Sequence, residues 1–143
     1  NYEKDKDGRL VKLSGIKSDY SIIYFYPKDN TTGCTIEANE FSEHIDGFKR
    51  LNAIVIGISG GNEESKKEFC EKYGFKITLL SDSDFKISNK YGVYGEKSFM
   101  GRKFMGIKRT TFVLDKNKKI IKIYNNVQAK DHAREVLEFL ENI

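Results

Sequence analysis

The 143-residue chain has one proline, two cysteines and two histidines. Two cysteines are too few for a disulfide-stapled scaffold, and with only two histidines beside them no structural zinc site is expected. No apolar run approaches the ~20 residues of a membrane helix. The opening NYEKDKDGRL is charged and lacks the apolar core of a signal peptide. These absences lead to an expectation of a cytoplasmic protein without membrane contact. Internal repeats and low-complexity linkers are missing too, so the length implies one domain, residues 1–143, with a single core. Positive charge is not concentrated either. The net charge is +4, but the lysines are interleaved with 21 acidic residues, and the densest group, Lys116, Lys118 and Lys119, reads as a hairpin tip. That pattern describes solvated surface, and no nucleic-acid partner is expected. Redox chemistry or plain burial is left to explain the two thiols.

What is present is a regular alternation of elements. GRLVKL, after Asp7-Gly8, reads as a short strand leaving a tight turn. YSIIYFY (20–26) is apolar on both faces, as a central strand buried on both sides must be. Ala38, Phe41, Ile45 and Phe48 recur at helical spacing, which predicts one helix over 33–49 with Thr31 or Thr32 as cap. AIVIGIS (53–59) is a second buried strand. A helix from Glu63 to Tyr73 follows, capped by Asn62 and stopped by Gly74. A short strand at 76–80 and a helix running to Tyr91 come next. Residues 92–109 are punctuated by glycine and read as loop. TTFVLD and KIIKIYN form a hairpin, and a helix over 130–142 buries Ala133, Val136, Leu137 and Leu140. This order implies an α/β, three-layer sandwich over a mixed central sheet. A βαβ half followed by a ββα half matches the thioredoxin fold, with an extra strand and helix in the middle.

In that arrangement YFYPKDNTTGCT ends a central strand at Pro27 and delivers Cys34 into the first turn of a helix. The carboxyl end of such a strand is where open α/β sheets bind ligands, and the helix start favours a thiolate. The helix alone is insufficient. Moving a thiol pKa from ~8.5 to ~6 takes about 3.4 kcal/mol, whereas a helix terminus supplies roughly 0.3–2 kcal/mol. A guanidinium near the sulfur would supply the remainder. Of the five arginines, Arg9, Arg50, Arg102, Arg109 and Arg134, only Arg109 opens a strand that the fold places beside YSIIYFY. The following residues, CTIE, hold Glu37 where a thioredoxin has its second cysteine. Thr110 follows Arg109 where a thioredoxin has a proline. Exchange within a CxxC pair is excluded.

The segment YFYPKDNTTGCT resembles the active-site motif of the peroxiredoxins, Pro, three residues, Thr or Ser, two residues, Cys: here Pro27, Thr31 and Cys34. With YGFKITLLSDSD, YGVYGEK and FMGIKRTTFVLD, the resemblance is closest to the peroxiredoxin Q group, the bacterioferritin comigratory proteins, and covers most of the chain from about residue 8. It implies a hydroperoxide substrate attacked by Cys34 as the peroxidatic thiolate, which becomes a sulfenic acid. Thr31 would hydrogen-bond the peroxide and Arg109 would stabilise the developing charge. The amides of Gly33 and Cys34 would donate, and Pro27 would shape the pocket and limit water. Helix capping by Thr31 and a strand stop at Pro27 are compatible with those roles. The resemblance implies no metal or cofactor, and a monomer.

Two positions depart from the group's pattern. Thr32 stands where proline is usual, and Asn39 where many members carry a resolving cysteine. A second subset places that cysteine where this chain has Cys70, so the resemblance implies a Cys34–Cys70 disulfide reduced by thioredoxin or a similar dithiol. From its position alone, beside Phe69 and Tyr73, Cys70 reads equally well as an inert core residue. The two cysteine-bearing helices are expected on opposite faces of the sheet, so bridging would require local unwinding. Two other readings stay open: a one-cysteine peroxidase using external thiols, and a redox-sensing or holdase protein without turnover. His44 and His132 read as surface or satisfied residues. Phe99, Met100, Phe104 and Met105 read as packing under the long loop, with an apolar rim near the active site as the alternative.

Overall fold

The computed structural model describes residues 2–5, 10–12 and 18–143. The Asp7-Gly8 turn lies outside the described residues. Seven strands form one sheet: β1 (Tyr2–Asp5), β2 (Leu10–Lys12), β3 (Tyr20–Phe25), β4 (Ala53–Ser59), β5 (Thr78–Ser81), β8 (Thr110–Asp115) and β9 (Ile120–Tyr124). Their order is β2-β1-β5-β4-β3-β8-β9. β3–β4 and β4–β5 are parallel, and the remaining neighbours are antiparallel. The sheet is therefore mixed, as expected for the thioredoxin fold.

Strand β3 shows why its sequence has no polar face. Ile22 and Tyr24, followed by Tyr26 just past the strand, pack into one core cluster, while Ile23 and Phe25 pack into a second on the opposite face. The first cluster is roofed by α1 (Thr32–Glu43), α2 (Ile45–Arg50), α3 (Glu63–Tyr73) and α5 (His132–Glu141). The second lies under α4 (Lys86–Lys90) together with Val93 and Ile107. Asn62 caps α3 through Ser65 N (2.8 Å), and Gly74 closes it at φ +66°.

Four expectations are corrected. The helix over 33–49 is two helices, broken at His44 (φ −95°, ψ 9°), although Phe41, Ile45 and Phe48 still face one core. Most of residues 92–109 is not loop. It forms a separate hairpin of β6 (Tyr94–Phe99) and β7 (Arg102–Ile107), turning at Met100 and Gly101 with φ +51° and +80°. Positive φ at both central residues is the turn that matches the twist of paired strands. Met100, Phe104 and Met105 are exposed rather than packed under a loop, and the Phe99 side chain lies outside the described residues.

The fourth correction concerns the cysteines. From β3 through β4 to β5 the chain steps across the sheet in one direction. Right-handed crossovers then put both connecting helices on the same face. Cys34 of α1 and Cys70 of α3 accordingly share the first core cluster, together with Tyr24 and Phe69.

Gly57 makes room for part of that cluster. A Cβ there would lie 2.7 Å from both the Tyr24 hydroxyl and Leu79 Cδ2. Gly57→Ala is expected to destabilise the protein by about 1–3 kcal/mol, the usual cost of overpacking a core. A urea midpoint equal to that of the parent would show that Tyr24 can move aside.

Candidate active site

Beyond β3 the backbone passes Pro27, whose missing N–H and fixed φ suit a strand exit, and reaches Thr31 in an extended conformation (φ −96°, ψ 159°). The Thr31 side chain does not cap the helix as expected. Its hydroxyl donates to the Lys28 carbonyl (3.0 Å), while its carbonyl accepts from Thr35 N (2.9 Å) and Thr35 Oγ1 (2.7 Å). Thr32 and Gly33 open α1, and Cys34 follows them, buried at 1% exposure. Its amide is among the first four of the helix, which have no intrahelical acceptor. The first turn carries no acidic side chain to compete with a sulfur anion.

Arg109, immediately before β8, reaches this point across the sheet. Its Nη2 donates to Cys34 Sγ at 3.3 Å, and its Nη1 donates to Glu37 Oε1 at 2.6 Å. The guanidinium thus spans one turn of α1, holding the sulfur with one nitrogen and a carboxylate with the other. Burial works against its charge, but Glu37 and Cys34 together outweigh that and raise its pKa. Gly33 permits the approach: a Cβ there would sit 3.0 Å from Arg109 Nη2.

Glu37 is the residue whose importance the sequence did not reveal. Its side chain is fully buried, and Oε2 has no hydrogen-bond partner among the described residues. Burial pushes its pKa up to about 7, even with the Arg109 charge beside it. The only signal was a carboxylate three residues after Cys34, on a helix whose neighbouring position, Ala38, is core. Tyr24 was missed too. Its hydroxyl is buried without a partner among the described residues, and its ring stacks on Phe41 at 4.8 Å. Burial first, and then repulsion from Glu37 and from the two cysteines when they are ionised, raise the Tyr24 pKa well above the ordinary phenol value. Tyr24 shares its core cluster with both cysteines. Lys97 of the β6–β7 hairpin also senses the site. Burial first, and then Arg109, lower its pKa, against the opposing pull of Cys34.

Cys70 is buried at 4% exposure in the same cluster, and both cysteines are thiols. His132 is a satisfied core residue, with Nε2 2.8 Å from Thr111 Oγ1 and Nδ1 3.1 Å from Glu135 Oε1. His44 forms the break between α1 and α2. No helix among the described residues is long and apolar enough to cross a membrane.

The chain that carries this site is similar to known proteins over almost its whole length. The AhpC/TSA family matches residues 2–123. Peroxiredoxin Bcp of Bacillus subtilis (strain 168) is 39% identical over 140 residues, spanning 98% of this chain and 89% of that protein. The chain belongs to the peroxiredoxins. Peroxiredoxin Bcp of Escherichia coli (strain K12) is 37% identical over 137 residues, covering 96% of this chain and 88% of its own length. Among solved structures, the Xanthomonas campestris bacterioferritin comigratory protein superposes with a TM-score of 0.93 at 30% identity, over 99% of this chain and 90% of that one. That structure concerns alkyl peroxide reduction by the Xanthomonas protein. This peroxiredoxin thus shares its fold and family with thiol peroxidases of the bacterioferritin comigratory group.

Proposed function

We propose that this peroxiredoxin reduces hydrogen peroxide and organic hydroperoxides at Cys34, resolves the product through Cys70, and is recycled by a thioredoxin-type dithiol. The observation that carries the reading is the Arg109 guanidinium 3.3 Å from the Cys34 sulfur. The Cys34 thiolate attacks the nearer peroxide oxygen. The O–O bond breaks, the sulfur becomes a sulfenic acid, and the distal oxygen leaves as water or alcohol after taking a proton. Arg109, held in place by Glu37, is aimed where charge develops on sulfur and oxygen. The Gly33 and Cys34 amides are further donors at the helix start. Thr31 binds the peroxide once its hydroxyl turns from the Lys28 carbonyl, and Pro27 limits water at the pocket wall.

Cys70 then displaces the sulfenic oxygen as water and leaves a Cys34–Cys70 disulfide. The placement of both cysteines in one core cluster on the same face of the sheet supports that pairing. Both thiols come from one chain, so a monomer suffices. The dithiol reductant is drawn from a reducing compartment such as the cytoplasm.

A peroxide assay coupled to thioredoxin tests the reading, with Cys34→Ser and Cys70→Ser beside the parent. Sustained turnover is expected in the parent, none without Cys34, and a single turnover without Cys70. Full activity in Cys34→Ser would remove the assignment. Undiminished turnover with external thiols in Cys70→Ser would make this a one-cysteine peroxidase, and stoichiometric oxidation without turnover in the parent a redox sensor or holdase.

A further inference from the structure

The segment Pro27–Thr31, which leads into Cys34, is fastened to the helix that carries Cys70. Asp29 is the centre of the attachment. Its Oδ1 accepts from the Tyr26 hydroxyl at 2.6 Å, and its Oδ2 from Ser65 Oγ at 2.6 Å and Lys66 Nζ at 2.8 Å. The Lys66 side chain is fully buried and that of Asp29 is 7% exposed. Lys66 also donates to the Gly60 carbonyl at 2.5 Å. Beside them Asn30, at φ +59°, accepts through Oδ1 from Tyr73 Oη (3.0 Å) and Lys72 Nζ (3.3 Å). Residues of α3 on both sides of Cys70 therefore grip the two residues that precede Thr31. Lys66 stands one helical turn before Cys70, and both are buried. Burial lowers its pKa, and Asp29 is the largest influence holding it protonated.

We propose that Asp29 and Lys66 are a latch, positioning residues that hold α3 against the Cys34 loop while peroxide is reduced, and that must part before Cys70 reaches oxidised Cys34. The inference rests on the resolving role of Cys70 proposed above. A disulfide needs Cβ atoms roughly 3.5–4.5 Å apart, and both cysteines stand as thiols within helices. Unwinding α3 around Cys70 withdraws Lys72 and Tyr73 from Asn30, and unwinding that reaches its first turn withdraws Ser65 and Lys66 from Asp29. In the resolving step the sulfenic S–O bond breaks and the S–S bond forms. The oxygen leaves as water with the Cys70 proton, and no further oxidant is required.

The test is the rate at which Cys34 sulfenic acid converts to the Cys34–Cys70 disulfide after one equivalent of hydrogen peroxide, read by rapid alkylation and mass spectrometry. The double variant Asp29→Asn/Lys66→Met removes both charges, so neither stays buried alone. Its conversion is expected to be at least tenfold faster than the parent's, with proportionally less sulfinic acid at excess peroxide. Asn30→Gly, which keeps the left-handed backbone and removes only the weaker contacts, is expected to accelerate conversion about two- to threefold. Leu114→Ala, a core truncation on the opposite face, serves as a stability control and should leave the rate within twofold of the parent. Unchanged conversion in both latch variants, or equal acceleration in Leu114→Ala, overturns the latch and leaves the role of Cys70 standing. If no Cys34–Cys70 disulfide forms in the parent, the resolving role falls and the latch with it.

Discussion

Replacing Arg109 by lysine is expected to slow the oxidation of Cys34 by hydrogen peroxide by about two to three orders of magnitude, or roughly 2.7–4 kcal/mol of barrier. The charge survives the substitution, so the loss isolates geometry. The guanidinium serves two acceptors at once, Cys34 Sγ at 3.3 Å and Glu37 Oε1 at 2.6 Å, through different nitrogens of one rigid plane. A lysine ammonium is a compact point charge on a flexible stem and lacks that fork. If it pairs with Glu37 it leaves the sulfur, and if it turns to the sulfur it strands a fully buried carboxylate. Single-turnover loss of the Cys34 thiol in stopped flow measures the effect. A decrease of less than threefold would show that positive charge alone, not the bidentate arrangement, activates the thiol.

The second large effect is expected in the dependence of stability on pH. Glu37 titrates at about 7 in the folded protein against an ordinary value of 4.5, chiefly because it is buried. Between those values the folded state binds more protons than the unfolded one, so stability falls as pH rises. The contribution is fully present below about pH 4.5 and is lost as pH climbs through about 7. It amounts to about 3 kcal/mol. Glu37→Gln, which cannot ionise, should abolish that loss, so the variant gains on the parent between pH 5 and pH 8. Denaturant titrations of both proteins at the two pH values decide the matter, and parallel behaviour would refute it. Activity should run the other way, because the ionised carboxylate is what braces Arg109. Glu37→Gln should oxidise about tenfold more slowly at pH 8, near the ~1.4 kcal/mol expected when a charge-assisted hydrogen bond becomes a neutral one.

Much of this was legible in the residues. The two-faced burial of YSIIYFY, the helix start at Cys34, and the selection of Arg109 all followed from apolar patterning, because strands β3 and β8 carry their pairing in their composition. The β6–β7 hairpin escaped because β7 is exposed over most of its length, so no alternation marks it. Its turn places methionine where asparagine or aspartate would have been the signal. Glu37 escaped for a different reason. A glutamate on a helix ordinarily reads as solvated, and its burial depends on Arg109, far away in the chain. Asp29 and Lys66 are hidden in the same way, each explicable only by the other. The shared face of Cys34 and Cys70 needed the order of the strands, which local sequence does not carry, together with the handedness of crossovers.

Tyr24 has a practical consequence. The chain has no tryptophan, so tyrosines and phenylalanines supply its near-ultraviolet signal. Tyr24 is rigidly packed, 5.6 Å from the Tyr26 ring and 4.8 Å from Phe41. Its phenol lies in the field of Glu37 and both sulfurs. Any change of charge or bonding at Cys34 or Cys70 alters the surroundings of an immobile chromophore. Circular dichroism near 280 nm should therefore follow the catalytic cycle without a label, with the protein's own phenol as the redox indicator.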